Sequence, residues 1–217
     1  MAVIFKNRRE AGRLLSERLA ELELFEPIIY ALPRGGVPVA VEVARTLAAP
    51  LDVLIVRTIG APRNPEVTVA AVVNGERPAL VLNSDTFAVT GGDEVALERA
   101  KELQVAEAER RHRLFMGPRP ALDPAGHVAV VIDDGVATGA TARKALAGLR
   151  AQGAGTTVLA APVAAASAAL DLQDVADIVV VLHAPDDFWA VGQFYSDFHQ
   201  LSDEETSDAL RHTWDTR

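Results

Sequence analysis

The segment Val128-Ala129-Val130-Val131-Ile132-Asp133-Asp134-Gly135-Val136-Ala137-Thr138-Gly139-Ala140-Thr141-Ala142 constrains this chain more than any other. Its apolar opening, mostly β-branched, reads as a strand buried on both faces of a parallel sheet. Two adjacent acids end the run. A glycine turn and a Thr-Gly-Ala-Thr segment follow, and helical spacing then runs over 140–151. A strand feeding a tight polar loop and a helix is a recurrent phosphate site. The first-turn N–H groups of the helix point at the ligand, and the helix dipole favours an anion there. Gly139 lets the backbone come close. The two carboxylates beside that cradle need another partner, hydroxyls or a divalent cation. Together the parts ask for a ligand with both a phosphate and a polyol, such as a ribose phosphate.

The rest of the chain supplies a frame for that loop. Strands are predicted over 28–32, 52–57, 67–73, 79–82, 128–132, 157–162 and 177–182. Helices are predicted over 7–22, 37–48, 93–115, 140–151, 167–173 and 203–212, the first with Asn7 as N-cap and Glu10 three residues on. Asn74-Gly75 is a hairpin turn signal, and 60–66, with its two prolines, reads as a loop. Alternating strands and helices predict an α/β fold: a mostly parallel central sheet flanked by helices. No repeat, linker or low-complexity stretch divides the chain, so 1–217 reads as a single domain.

A formal net charge of −9 argues against a basic face for nucleic acid. The Arg110-Arg111-His112-Arg113 cluster reads as a solvated helix face, with Glu107/Arg111 and Glu109/Arg113 at i,i+4 spacing. No cysteine is present, so disulfides, thiolate metal sites and thiol nucleophiles are excluded. The N-terminus turns charged too early for a signal peptide, and no apolar run reaches the roughly 18 residues of a membrane span. A soluble cytoplasmic protein is the expectation. The five histidines show no metal-ligand spacing.

Other acidic or glycine-rich loops fit poorly. A dinucleotide fingerprint would need Gly-x-Gly-x-x-Gly after an early strand. A P-loop would need a lysine before the Thr/Ser that enters the helix, where Ala140 stands. A dehalogenase-type nucleophile sits in Asp-x-Asp, whereas these acids are adjacent. A receiver domain would need more chain after the acidic pair. Residues 130–141, four apolar residues, two acids, three mixed residues and Thr-Gly-x-Thr, resemble the signature of the type I phosphoribosyltransferases. The pieces Leu-Pro-Arg-Gly-Gly-Val, Val-Arg-x-x-Gly-Ala-Pro-x-Asn-Pro-Glu and Asp-Phe-x-x-Val-Gly-x-x-Tyr-x-Asp-Phe extend the likeness over 5–200. They resemble a bacterial group of phosphoribosyltransferases with no assigned acceptor.

The resemblance implies roles. Asp133 and Asp134 would hold the ribose hydroxyls, and Ala137, Thr138, Gly139, Ala140 and Thr141 would wrap the 5′-phosphate. Arg34, Gly35 and Gly36 follow an early strand, where the family binds pyrophosphate, often through a strained peptide. An ordinary Pro-Gly turn with an exposed arginine is the other reading. Arg57 and Arg63 are further candidates for the same anion, Arg63 on a segment that would match the family's mobile loop. Among these, Asp133, Asp134 and Arg34 are the expected catalytic residues. The aromatic stretch over about 183–200, with the N-terminal segment, would form a small hood over the acceptor, with Phe188, Trp189 and Tyr195 as stacking candidates. Phe194 and Phe198 read rather as a satellite core.

The family transfers a 5-phosphoribosyl group from phosphoribosyl pyrophosphate to a nitrogen acceptor, releasing pyrophosphate with Mg²⁺. No metal ligand is assignable from the sequence. The position that carries an acid in relatives using 6-oxopurines is Ala137 here. Family members are often homodimers. Some proteins of this fold act instead as ligand sensors, usually with an added DNA-binding domain or a basic RNA-binding face. The chain shows neither.

Overall fold

The computed structural model describes residues 5–214, so the reading of the extreme N-terminus over 1–4 lies outside them. In chain order the elements are α1 (Arg8–Ala20), β1 (Pro27–Ala31), α2 (Gly36–Thr46), β2 (Leu51–Val53), β3 (Val56–Ala61), β4 (Asn64–Val73) and β5 (Ala79–Leu82). They continue with α3 (Ser84–Val89), α4 (Glu94–Met116), β6 (Val128–Ile132), α5 (Ala140–Ala151), β7 (Thr156–Val163), α6 (Ala166–Asp171), β8 (Ile178–His183) and α7 (Asp203–Trp214).

Strands β2-β1-β6-β7-β8 form one sheet, parallel throughout. Alternation along the apolar strands fills two cores. Ile29, Ala31, Val130, Ile132, Val158 and Ala160 face one, with Leu15 and Leu19 of α1 and Val37 and Val43 of α2. Ile28, Tyr30, Ala129, Val131, Leu159 and Ala161 face the other, with Leu146 and Leu149 of α5 and Leu172. Burial on both faces is why β6 is apolar without a break. At about 25 cal/mol per Å² of apolar surface removed from water, these side chains supply most of the favourable folding term.

The strand order reverses between β1 and β6. The chain leaves β1 for α2, against the first core, and leaves β6 for α5, against the second. The two connections therefore part to opposite faces and open a crevice at the carboxyl ends of neighbouring strands, where open α/β sheets bind ligands.

Several elements stand as the pattern predicts. Asn7 caps α1, its side chain accepting from the Glu10 N–H at 3.0 Å. α5 spans 140–151. β4 and β5 pair as a hairpin, Val73 opposite Ala79, through a connection longer than the two-residue turn that Asn74-Gly75 suggests. Two expectations are corrected. The strand read over 52–57 is broken: β2 ends at Val53 in the parallel sheet, and β3 starts at Val56 in a separate antiparallel sheet, β3-β4-β5. The buried Asn74 side chain makes that break tolerable. Its Oδ1 accepts from the Ile55 N–H at 2.6 Å and its Nδ2 donates to the Val53 carbonyl at 3.4 Å, so neither group is orphaned. The loop read over 60–66 is instead the end of the β3–β4 hairpin, with Ala61 opposite Asn64 and register shifts on either side of Gly60. The short helix α3, capped by Asn83, had no clear periodic signal.

After β8 the chain forms a short 3-10 turn at Val191–Phe194 and packs back on the start of the chain. The Phe5 N–H donates to the Phe194 carbonyl at 2.7 Å, and Ser196 N–H donates to the Phe5 carbonyl at 2.8 Å. Phe5, Ala11, Val163, Phe194 and Tyr195 form a third core, with Phe188, Val191 and Phe198 against it.

Candidate functional site

The two loops at the switch point touch. A Cβ on Gly35 would collide with Asp134 Oδ2, and one on Gly36 would lie 2.5 Å from the Ile132 carbonyl oxygen. Any side chain at either position would push the loop after β1 off the acidic pair. Sequence neighbours Pro33 and Arg34 are joined by a cis peptide bond.

The acids are unequal. Asp133 is half-buried, and its Oδ1 accepts from the Asp134 N–H at 2.9 Å. Burial first, and then the neighbouring Asp134 charge, push the Asp133 carboxyl well above the usual carboxylate range. Asp134 is buried. Its Oδ2 accepts from Arg8 Nε at 2.7 Å, and its backbone carbonyl accepts from the Tyr195 hydroxyl at 2.5 Å. Burial and the Asp134 charge raise the Tyr195 phenol, so it remains a neutral donor.

Beyond the acids, Ala137, Thr138, Ala140 and Thr141 are exposed around the start of α5. Gly139 is the N-cap at φ +73°, a left-handed conformation that a side chain resists, and it offers no side chain to occupy the first-turn amides. Those donors are left for a ligand, apart from a long contact of 3.4 Å from Ala140 N–H to Thr138 Oγ1.

Thr141 also borders a cavity of about 140 Å³, which Arg34, Arg57 and Arg111 line together. Arg34 lies 3.6 Å from Asp203 of α7, and Arg57 Nε donates to Gln104 Oε1 of α4 at 3.0 Å. Arg63 is placed elsewhere, exposed at the β3–β4 turn. The arginine cluster of α4 is therefore not uniformly a solvated face. Glu107 takes Arg110 rather than Arg111, at 2.7 Å, and Arg111 turns to the cavity. His112 is buried on Asp52 at 2.7 Å, while Arg113 stays outside, 3.9 Å from Glu109. Arg8 and Arg111 carry no motif. Spacing alone does not separate Arg111 from Arg110 as the partner of Glu107, nor Arg8 from Arg9.

Of the aromatic candidates, Tyr195 is buried against the acid loop and Phe188 packs on Phe194, 5.3 Å between ring centroids. Trp189 is 85% exposed, on a loop whose Trp189 and Ala190 N–H groups donate to the Gln193 side chain. Val191 of the same loop meets Gly135 so closely that a Cβ on the glycine would collide with it. Among the described residues no group of three histidine, aspartate or glutamate side chains is gathered for a metal ion, and no helix is long and apolar enough to cross a membrane.

The crevice at the switch point thus brings together an open helix N-terminus, two adjacent acids and three arginines, in the place where open α/β sheets bind ligands. Residues 4–199 match the family model described as the phosphoribosyl transferase domain, and the chain belongs to that family. It is 42% identical to TT1426 from Thermus thermophilus, whose crystal structure superposes with a TM-score of 0.84 over 97% of this chain and 99% of that one. It is 44% identical over 202 residues to a Mycobacterium tuberculosis H37Rv protein provisionally named a phosphoribosyl transferase. That match takes in 93% of this chain and 45% of the relative, so the chain spans less than half of the relative's length.

Proposed function

We propose that this domain transfers the 5-phosphoribosyl group of phosphoribosyl pyrophosphate to a nitrogen acceptor and releases pyrophosphate. The observation that carries this reading is the seating of the Arg34-Gly35-Gly36 loop directly on Asp134. It supports reading the loop as an anion site, the acid pair as a diol site and the start of α5 as a phosphate cradle for one small ligand. The first-turn amides of α5 and the Thr138 and Thr141 hydroxyls bind the 5′-phosphate. Asp133 and Asp134 accept from the ribose hydroxyls. Arg34, Arg57 and Arg111 hold the pyrophosphate and stabilise the negative charge that grows on it as the C1–O bond breaks. Gly35 and Gly36 let the backbone approach it. Arg63 reaches this anion only if the β3–β4 hairpin folds toward the crevice, as a closing loop would.

The donor set suits Mg²⁺. The carboxylates of Asp133 and Asp134 are hard oxygen donors, and Mg²⁺ takes few such protein ligands, keeps waters and uses phosphate oxygens. Asp133 and Asp134 are the residues that would hold it beside the ribose, and bound there it would supply charge neutralisation for the leaving pyrophosphate. The segment over about 183–200 forms the acceptor hood, with Trp189 the exposed ring for a planar base. Phe188 and Tyr195 support that loop from below.

Pyrophosphate release, measured with phosphoribosyl pyrophosphate, Mg²⁺ and a panel of nucleobases and other nitrogen acceptors, tests the reading. Turnover with at least one acceptor is expected. Tight ligand binding with no turnover across the panel would replace the enzyme with a sensor. Calorimetry on Asp133→Asn/Asp134→Asn tests the site itself: binding of phosphoribosyl pyrophosphate is lost, and unchanged binding would sink the assignment.

A further inference from the structure

We propose that Arg8 is a positioning residue for ribose recognition, locking Asp134 before the ligand arrives, and that the segment from Tyr195 to His199 completes its clamp. This rests on the ribose reading of the acidic pair. Arg8 sits in the first turn of α1, where the helix dipole disfavours a cation, and it is only 7% exposed. A buried guanidinium there must be held by its partners. Nε donates to Asp134 Oδ2 at 2.7 Å, Nη1 donates to the His199 carbonyl at 3.0 Å, and the planar face lies 3.9 Å from the centre of the Phe198 ring. Phe198 in turn stacks on Tyr195, 5.2 Å between centroids, and Tyr195 donates to the Asp134 carbonyl.

Asp134 is thus gripped at its carboxylate from α1 and at its backbone from the C-terminal segment. The same Oδ2 faces Gly35 of the opposite loop. The contrast with the adjacent arginine is informative. Arg9 is exposed and joins Arg13 and Arg45 around the buried carboxylate of Glu42 on α2, not around an acid of the ligand loop. Buried ion pairs add little to stability compared with apolar packing, so they are weak evidence of a stabilising role. This one ends on an acid of the ligand loop and fixes its rotamer. A carboxylate ordered in advance spares the ligand that ordering cost. The Arg8 clamp thereby makes α1 and the segment from Tyr195 to His199 part of the ribose half of the site, while the pyrophosphate half is built from the loop after β1, β3 and α4.

That division sets the test. Calorimetry in Mg²⁺ buffer compares three probes, phosphoribosyl pyrophosphate, ribose 5-phosphate and inorganic pyrophosphate, on wild type, Arg8→Met and Arg8→Lys. Arg8→Met is expected to weaken both ribose-containing probes at least about tenfold, ~1.4 kcal/mol, and to leave pyrophosphate within about twofold. Arg8→Lys recovers part of the loss, because the charge returns without the fork and the flat face. Where Arg8→Met fails to fold, Phe198→Leu, which keeps the ion pair and removes the ring, carries the same selective loss at smaller size. Equal weakening of all three probes makes Arg8 a general fold element and overturns the proposal, as does no change at all. A wild type that binds pyrophosphate but neither ribose probe overturns the ribose reading itself, a result visible before any variant is made.

Discussion

Replacing Arg111 by methionine keeps most of the apolar stem and removes the charge. Three guanidinium groups border the cavity of about 140 Å³ beside Thr141, and each adds charge where the proposed function puts the pyrophosphate. A charge-assisted hydrogen bond to a phosphate oxygen contributes about 1.5–3 kcal/mol. The crevice is open and salt screens it, so the middle of that range is the working value, ~2 kcal/mol. The dissociation constant for pyrophosphate, and for phosphoribosyl pyrophosphate, should then rise about 30-fold. The control is Arg110→Met, one position away on α4, where the guanidinium is exposed and bound to Glu107. That variant should bind both ligands as wild type does. Isothermal titration at two ionic strengths reads both numbers, and the Arg111 effect should shrink at the higher one. If Arg111→Met binds pyrophosphate within about threefold of wild type, or if both variants weaken equally, the cavity is not the anion site.

Three further changes probe the frame. Asp133→Asn should raise the melting temperature near neutral pH by about 2–4 °C while abolishing ribose binding, as scanning calorimetry and titration would show. The sign follows from the raised carboxyl. Its folded form holds the proton more tightly than the unfolded chain, so stability is greatest below the unfolded value near 4 and declines as pH rises through the folded one. A neutral amide removes that penalty, and a fall in melting temperature would refute it. Asn74→Ala orphans the Ile55 N–H and the Val53 carbonyl at the break between the sheets, and should cost about 2–4 kcal/mol in urea denaturation; a loss under about 0.5 kcal/mol would show that water replaces the side chain. Gly35→Ala places a methyl against Asp134 Oδ2 and should destabilise by about 1–3 kcal/mol with loss of both pyrophosphate and ribose affinity; unchanged binding would mean that the two loops separate freely.

What could be read from the sequence is what local chemistry determines. β6, the acidic turn and α5 follow one another along the chain, and each is specified by its own residues: an apolar run, two acids, a glycine at φ +73°, a helical period. The parallel sheet followed from the alternation of such strands with helices. The parts that escaped depend on partners far away in sequence. Leu54 and Ile55 continue the apolar run past Val53, where β2 ends, so nothing local marks the break, and the side chain that makes it tolerable comes from Asn74. Arg111 has Glu107 at ideal helical spacing, but Glu107 also reaches Arg110, and burial of Phe115 and His112 on the same helix decides which arginine faces the crevice. Arg8 and Asp134 are 126 positions apart. The signature motif therefore marks the acids and the loop before α5, whereas Arg8 and Tyr195, which hold Asp134, and Arg111, which lines the cavity beside Thr141, come from α1, the C-terminal segment and α4, which carry no motif. A search restricted to the motif would find the acids and miss the groups that hold one of them in place. Variation in Arg8, Phe198 and Arg111 would then change affinity for the donor while leaving every residue of the signature intact.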